Sequence, residues 1–323
     1  MEKISQNYNN SATYKKPKNK YAKYAYIFLA PMFIIYAIFF LYPLVYTFLI
    51  SFSDMQGFQT DLNLIGGNNY AWLLNQPRFY QALWNTVIMW IYSFVFQLSF
   101  ALLFAYIFTN NRIQIKGKNI YKVIYYLPKI ITTASVAVLF NMLWTSPSGT
   151  LYKMFNAIGL FKDYAPLQNA TSAQILYSSV AFWQWFGSIL ILLIAGMLSV
   201  SPSLYEAADL DGASKIRTFF QITLPLIRPI IVYVIITSLI GGLQSFELSY
   251  LFNPFPAATG YIPGGPPTST GYATETIAVY IYTLAFQGGN YYNFASALSM
   301  ILLAISVIVS MVVYRNIRDR ETA

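Results

Sequence analysis

Six stretches of this chain, near 25–52, 84–108, 120–145, 175–199, 227–250 and 292–314, are each apolar for more than twenty residues. About 20 apolar residues in a helix cross the roughly 30 Å hydrocarbon core of a bilayer. The pattern therefore predicts an all-α integral membrane protein with six transmembrane helices. Composition agrees: 57% of the 323 residues are hydrophobic and 10% are charged, against about 25% charged in an average soluble domain. A seventh apolar stretch, Thr276 to Phe286, is too short to span and is expected as a helix lying against the protein at one surface. The first span follows a basic leader, but it is about twice as long as a secretory h-region and no small-residue cleavage site follows it. It reads as a membrane anchor.

Basic residues collect on the cytoplasmic side of membrane proteins. Sixteen of the twenty Lys and Arg fall in the leader, the connection after the second span, the region 215–228 and the tail. The loops on the other side hold only Arg78, Lys153 and Lys162. Both termini are thus expected in the cytoplasm of a multi-pass cell-membrane protein. The chain divides into a basic leader (1–24), polar and expected to be disordered, a transmembrane domain (25–316) and a short tail (317–323). The net charge of +9 follows from this retention of basic residues and does not call for nucleic acid as a partner.

The absence of cysteine and histidine removes disulfides, thiolate nucleophiles, imidazole bases and the commonest zinc ligands. No catalytic residue, metal site or cofactor is expected. No GxxxxGK[ST] loop occurs, so the chain does not cradle ATP phosphates in that way.

Between the fourth and fifth spans lies "YEAADLDGASKIRTFFQITLP", Tyr205 to Pro225, a charged insert within a loop of 201–225. Ser203 and Glu206 have capping-box spacing, which predicts a short helix starting there. Gly212 suits its C-terminus, where a left-handed residue is needed. Ser214 can start a second short helix running to Leu224, and Pro225 marks the start of the fifth span. Ala207 and Ala208 would leave one side of the first helix smooth, with Asp209 and Asp211 keeping other positions polar. Such a surface suits docking into a groove of another protein, although two amphipathic turns also occur in plain cytoplasmic loops.

The order Glu206-Ala207-Ala208, Gly212 and Ile222-Thr223-Leu224-Pro225 resembles the EAA loop of bacterial ABC importer permeases. In "FLAPMFIIYAIFFLYPLVYTFLISFSD", "NNYAWLLNQPRFYQALWNTV", "ETIAVYIYTLAF" and "FASALSM" the chain is similar to the carbohydrate-uptake permeases, of the maltose and multiple-sugar type, first permease subunit. The resemblance implies a type I importer architecture with a cytoplasmic EAA coupling helix, in which Glu206, Ala207, Ala208, Asp209 and Gly212 couple to an ATPase. It also implies a second permease subunit, an ABC ATPase dimer that hydrolyses ATP, an extracellular solute-binding protein and a disaccharide or oligosaccharide as substrate. This chain would be a transport subunit and not an enzyme. Glycerol phosphate is a related substrate possibility. Around Gly264-Gly265-Pro266 the chain departs from the family's compact turn by an inserted "NPFPAATGYI".

Sugars bind to aromatic faces and to side chains that hydrogen-bond hydroxyls. Trp183, Gln184 and Trp185 in the fourth span, with Gln244 and Glu247 after the pair Gly241-Gly242 in the fifth, are the candidates for a substrate path. Asn141 in the third is a further member. Aromatics in spans also pack or anchor at the interface, and Glu247 stands only a few residues before its span ends. A carboxylate in a span usually faces the bundle interior or a water-filled path. Lys129, beside Pro128, can snorkel to the cytoplasmic interface. An ion-coupled secondary carrier is the alternative class, but paired ionisable residues and an internal repeat are not evident.

Overall fold

The computed structural model of the chain describes residues 22–57, 61–110, 115–145, 147–159, 166–252, 273–287 and 290–318. The expectations for the leader, for the loop from 252 to 274 with its Gly264-Gly265-Pro266 turn, and for Arg112, Lys162 and Arg320 fall wholly or mostly outside them. Among the described residues the regular structure is helical, apart from one isolated bridge between Ser53 and Leu64. The chain divides into two compact units, Met1–Thr47 and Phe48–Ala323.

The first unit holds α1 (Ala22–Tyr36), with Pro31 inside it, followed by a π-helical turn at Ala37–Leu41 and the start of α2 (Tyr42–Ser51). A proline inside a soluble helix is disruptive, but membrane helices tolerate it where the freed carbonyl finds another partner. The helical run Tyr26–Ser51 is long and apolar enough to cross a membrane.

In the second unit, a short α3 (Asn68–Leu74) precedes α4 (Pro77–Thr109), whose 33 residues make it the longest helix among the described residues. Then come α5 (Lys118–Ile130), α6 (Thr133–Trp144), α7 (Thr150–Ala157) and α8 (Ala170–Leu198). The short helices α9 (Pro202–Leu210), α10 (Lys215–Thr218) and α11 (Leu224–Leu226) lead into α12 (Arg228–Leu243). The chain closes with α13 (Glu247–Phe252), α14 (Ile277–Phe286) and α15 (Tyr292–Arg318).

Among the described residues four helices are each long and apolar enough to span, and two bent pairs raise the count to six only if each pair is one span. The third expected span breaks between α5 and α6 with a 90° bend. Pro128 removes a backbone donor from the last turn of α5, and Ile131 and Thr132 are extended. Thr132 then caps α6 by accepting from the Ser135 amide at 3.4 Å. The second bent pair joins Lys215–Leu226, inside the charged insert, to α12, and bends by 66° at Ile227, where the fifth span is expected to begin and Pro229 restarts the helix without needing an N–H partner. It breaks again at Gln244, before α13.

α4 and α8 run in the same direction and pack along their length. Gln174 Nε2 donates to Asn85 Oδ1 at 3.0 Å, Ser178 Oγ to the Met89 carbonyl at 3.2 Å and Gln97 Nε2 to the Ala181 carbonyl at 3.1 Å. Packing and interhelical hydrogen bonds drive helix association in lipid, so small residues sit at the seams. Ala101 and Ala105 are fully buried. At Gly187 the backbone of α5 comes so close that a Cβ would stand 2.0 Å from the Tyr125 carbonyl oxygen. The short apolar stretch behaves differently from the surface helix expected. α14 buries Ile277, Tyr280 and Leu284 in a cluster with α4 and α15, because its sequence IAVYIYTLAF is apolar almost throughout.

Candidate functional site

The charged insert folds as a helix, a turn and a second short helix. α9 ends in a Schellman arrangement: the Ala213 amide donates to the Ala208 carbonyl at 2.9 Å and the Gly212 amide to that of Asp209 at 3.2 Å. Gly212 has φ +69°, the left-handed geometry such an ending needs. The start of α9 differs from the capping box expected. Pro202 occupies the first helical turn, so the helix begins before Ser203, which pairs with Ser201 Oγ at 2.8 Å instead. Ser214 caps α10 by accepting from the Arg217 amide at 3.3 Å, and Lys215 forms an ion pair with Asp209 across the turn. In place of one continuous second helix, a π-helical turn at Phe219–Thr223 separates α10 from α11.

Successive helix positions are about 100° apart, so Ala207 and Ala208 do not share a face. Ala208 is 6% exposed and packs inward, while Glu206, Ala207, Asp209 and Gly212 are exposed. Tyr205 ties α9 to the π-helical turn through its hydroxyl, 3.1 Å from Thr223 Oγ1. Leu210 and Ile216 stand out from the surface at 90% and 72% exposure.

A cavity of about 630 Å³ lies between α4, α8 and the α12–α13 break, within the range of roughly 300–1,000 Å³ usual for small-molecule sites. α4 contributes Trp90, Ser93 and Gln97; α8 contributes Tyr177, Trp185 and Ser188. The remaining wall includes Ser238, Gln244 and Glu247. Non-helical backbone at membrane depth is tolerated where it is buried or lines such a cavity, and the Gln244–Phe246 break does so. Trp90 Nε1 donates to Ser238 Oγ at 3.1 Å, and the Tyr177 hydroxyl lies 2.6 Å from Ser245 Oγ, which fixes two of the aromatic walls. Gln244 and Glu247 are exposed toward the open space, and Glu247 has no side-chain partner among the described residues.

Of the six residues expected on a substrate path, the structure brings Trp185, Gln244 and Glu247 to this cavity. The other three lie elsewhere. Gln184 is buried and donates to the Ile131 carbonyl at 3.4 Å and Thr133 Oγ1 at 3.1 Å, covering the α5–α6 break. Asn141 Nδ2 donates at 3.3 Å to the carbonyl of Phe252, the last residue of α13. Trp183 packs its ring 5.4 Å from Phe140. Lys129 places its ammonium 3.0 Å from the centroid of the Trp185 ring. Trp90, Gln97 and Tyr177 were not anticipated. Gln97 carried the one available signal, an amide inside an apolar span that needs partners.

No family model matches the chain. Among curated proteins it is 32% identical over 293 residues to the arabinooligosaccharides transport system permease protein AraP of Bacillus subtilis, covering 89% of this chain and 86% of that one. It is 28% identical over 305 residues to the lactose transport system permease protein LacF of Rhizobium radiobacter, covering 94% and 97%. Among solved structures it matches a bacterial ABC transporter involved in import of the acidic polysaccharide alginate, with TM-score 0.75, 26% identity and coverage of 92% and 96%. The alginate transporter bound to a periplasmic protein carrying an alginate pentasaccharide matches with TM-score 0.73 and 26% identity, over 90% and 92%.

Proposed function

This chain belongs to the permease subunits of bacterial sugar ABC transporters, and from that premise we propose that it carries a disaccharide or oligosaccharide through the cavity between α4, α8 and α12. One observation carries the reading. The charged module joins two walls of that cavity directly: α8 ends at Leu198 just before α9 begins at Pro202, and the module runs on into α12. A push on the module therefore reaches both walls through helices.

In this reading the transmembrane domain covers 25–316 and counts six spans, the third being the bent pair α5–α6 and the fifth α12 continued by α13. The sixteen basic residues of one side favour cytoplasmic termini, leader and tail, and a cytoplasmic module. The module is the EAA coupling helix. Its exposed Glu206 and Ala207, with Leu210 and Ile216 beside them, dock on an ABC ATPase dimer, and Gly212 and the Lys215–Asp209 pair set the angle between its two helices. A second permease subunit completes the cavity. An extracellular solute-binding protein delivers the sugar. ATP-dependent closure of the ATPase pulls on the module, and rotation of α8 and α12 exposes the cavity alternately to the two sides.

At the cavity, Trp185 offers an aromatic face and Gln244, Glu247 and Gln97 offer hydrogen-bonding groups for hydroxyls. The test is uptake of labelled oligosaccharide into vesicles holding the assembled transporter and its binding protein. Uptake is expected to need ATP and to stop when the ATPase loses its phosphate-binding lysine. Uptake that persists in that variant would return the chain to the ion-coupled carriers.

A further inference from the structure

Resting on the carbohydrate-importer reading, we infer that Glu247 makes the cavity selective for uncharged saccharides and against anionic ones. Glu247 opens α13 at the edge of the cavity, and no Lys or Arg borders that cavity among the described residues. The polar groups around it are neutral amides and hydroxyls, including Gln97, Gln244, Ser93 and Ser238. Lys129 is not among the lining residues; its ammonium lies over the Trp185 ring. Glu247 itself has no side-chain hydrogen-bond or ion-pair partner among the described residues.

A carboxylate is a strong acceptor for sugar hydroxyls, because a hydrogen bond to a charged oxygen is shorter and stronger than one between neutral groups. The same charge repels a second carboxylate or a phosphate, and that repulsion grows where walls of low polarity replace water. A uronic acid or sugar phosphate entering this half of the cavity would meet a like charge with no compensating cation. A neutral sugar would meet an acceptor. Like-charge juxtaposition is a common way for a site to reject a wrong ligand. The alginate importer shows that this fold also serves an acidic substrate. Charge preference is therefore set by side chains and not by the fold, and in this chain the charged side chain on the cavity wall is Glu247.

The experiment compares two pools of probes on the assembled transporter in vesicles with its binding protein. One is a mixture of neutral di- and trisaccharides; the other is the same mixture with its reducing ends oxidised to aldonates. Uptake is read by mass spectrometry. The wild type is expected to take the neutral pool at least ten-fold faster. Glu247→Gln, which keeps shape and hydrogen bonding and removes the charge, should cut that ratio several-fold, and Glu247→Ala should cut it while also slowing neutral uptake. The binding protein is the same throughout, so a change in the ratio reports on the permease. Equal uptake of both pools by the wild type, or an unchanged ratio in both variants, would overturn the charge selectivity while leaving carbohydrate import intact. Entry of neither pool would overturn the carbohydrate reading and this inference with it.

Discussion

Arg78 at the start of α4 and Glu275 just before α14 are 197 residues apart in sequence and form a buried two-pronged ion pair. Nε lies 3.0 Å from Oε2 and a terminal guanidinium nitrogen 2.5 Å from Oε1. The Arg78 guanidinium also stands 4.8 Å from the centroid of the Tyr280 ring in α14. Burial pushes the Glu275 carboxyl up from the usual carboxylate range, while hydrogen bonding and charge from Arg78 pull it back. The pair fixes segment 273–276 against α4, and from that segment Thr276 Oγ1 donates to the Ser245 carbonyl at 2.6 Å in the break that borders the cavity. Removing one partner from a buried pair leaves an uncompensated charge and costs about 3–5 kcal/mol. Arg78→Met and Glu275→Leu should each lower the melting temperature in detergent. The double variant should recover much of the loss. Melting temperatures of the single variants equal to wild type would show that the pair does not hold this segment.

At Gly187 the backbones of α5 and α8 come into close contact. A methyl group there would stand 2.0 Å from the Tyr125 carbonyl oxygen, and backbone cannot move aside as a flexible side chain can. Overpacking of this kind typically costs about 1–3 kcal/mol. Gly187→Ala should destabilise the protein by that order in thermal unfolding. Unchanged stability would mean that α5 and α8 can separate freely.

Lys129 and Trp185 give a third test, because one lies beside the α5–α6 break and the other on the cavity wall. A cation over an indole face contributes about 0.5–2 kcal/mol. Lys129→Met should free the Trp185 ring and raise KM for sugar uptake with little change in kcat, whereas Lys129→Arg should retain most of the wild-type KM. Equal effects of both substitutions would remove the cation–π contact from the account.

Hydropathy made the apolar segments visible and left the bends hidden, since a broken span has the same composition as a straight one. Pro128 stood in the sequence, but proline is tolerated in membrane helices, so it did not by itself locate the 90° break three residues on. The module was more legible, because Gly212 and Ser214 act through local backbone geometry. Its capping box failed for an equally local reason: Pro202 starts the helix first. Residues of the cavity were legible only in part. Buried amides announce that they need partners without naming them. Gln184 and Asn141 find theirs at helix ends, while Trp90, Gln97 and Tyr177 reach the cavity through a packing of α4 on α8 that no local pattern encodes.

Orientation is checked by reporters. One fused after Ala323 should be active only in its cytoplasmic-reporting form, and one inserted near Asn169, the cap of α8, only in its exported form. The reverse pattern would place the module outside and remove the docking model.

The module separates docking from folding because its two alanines face different ways. Ala207 is exposed and Ala208 is 6% exposed. Ala207→Asp should leave stability near wild type and abolish coupling, since it sets an unpaired carboxylate into the proposed contact with the ATPase. Ala208→Asp should instead lower stability, because that carboxylate would be buried within the chain itself. Gly212 has open space around it, so substitution there meets no clash and acts only through its φ of +69°. Valine at that position should impose about 1–3 kcal/mol of backbone strain, and asparagine less. Gly212→Val should therefore insert normally yet reduce both sugar uptake and the stimulation of ATP hydrolysis by loaded binding protein, with Gly212→Asn intermediate. Normal uptake in both Ala207→Asp and Gly212→Val, at normal protein levels, would reduce the module to a structural loop.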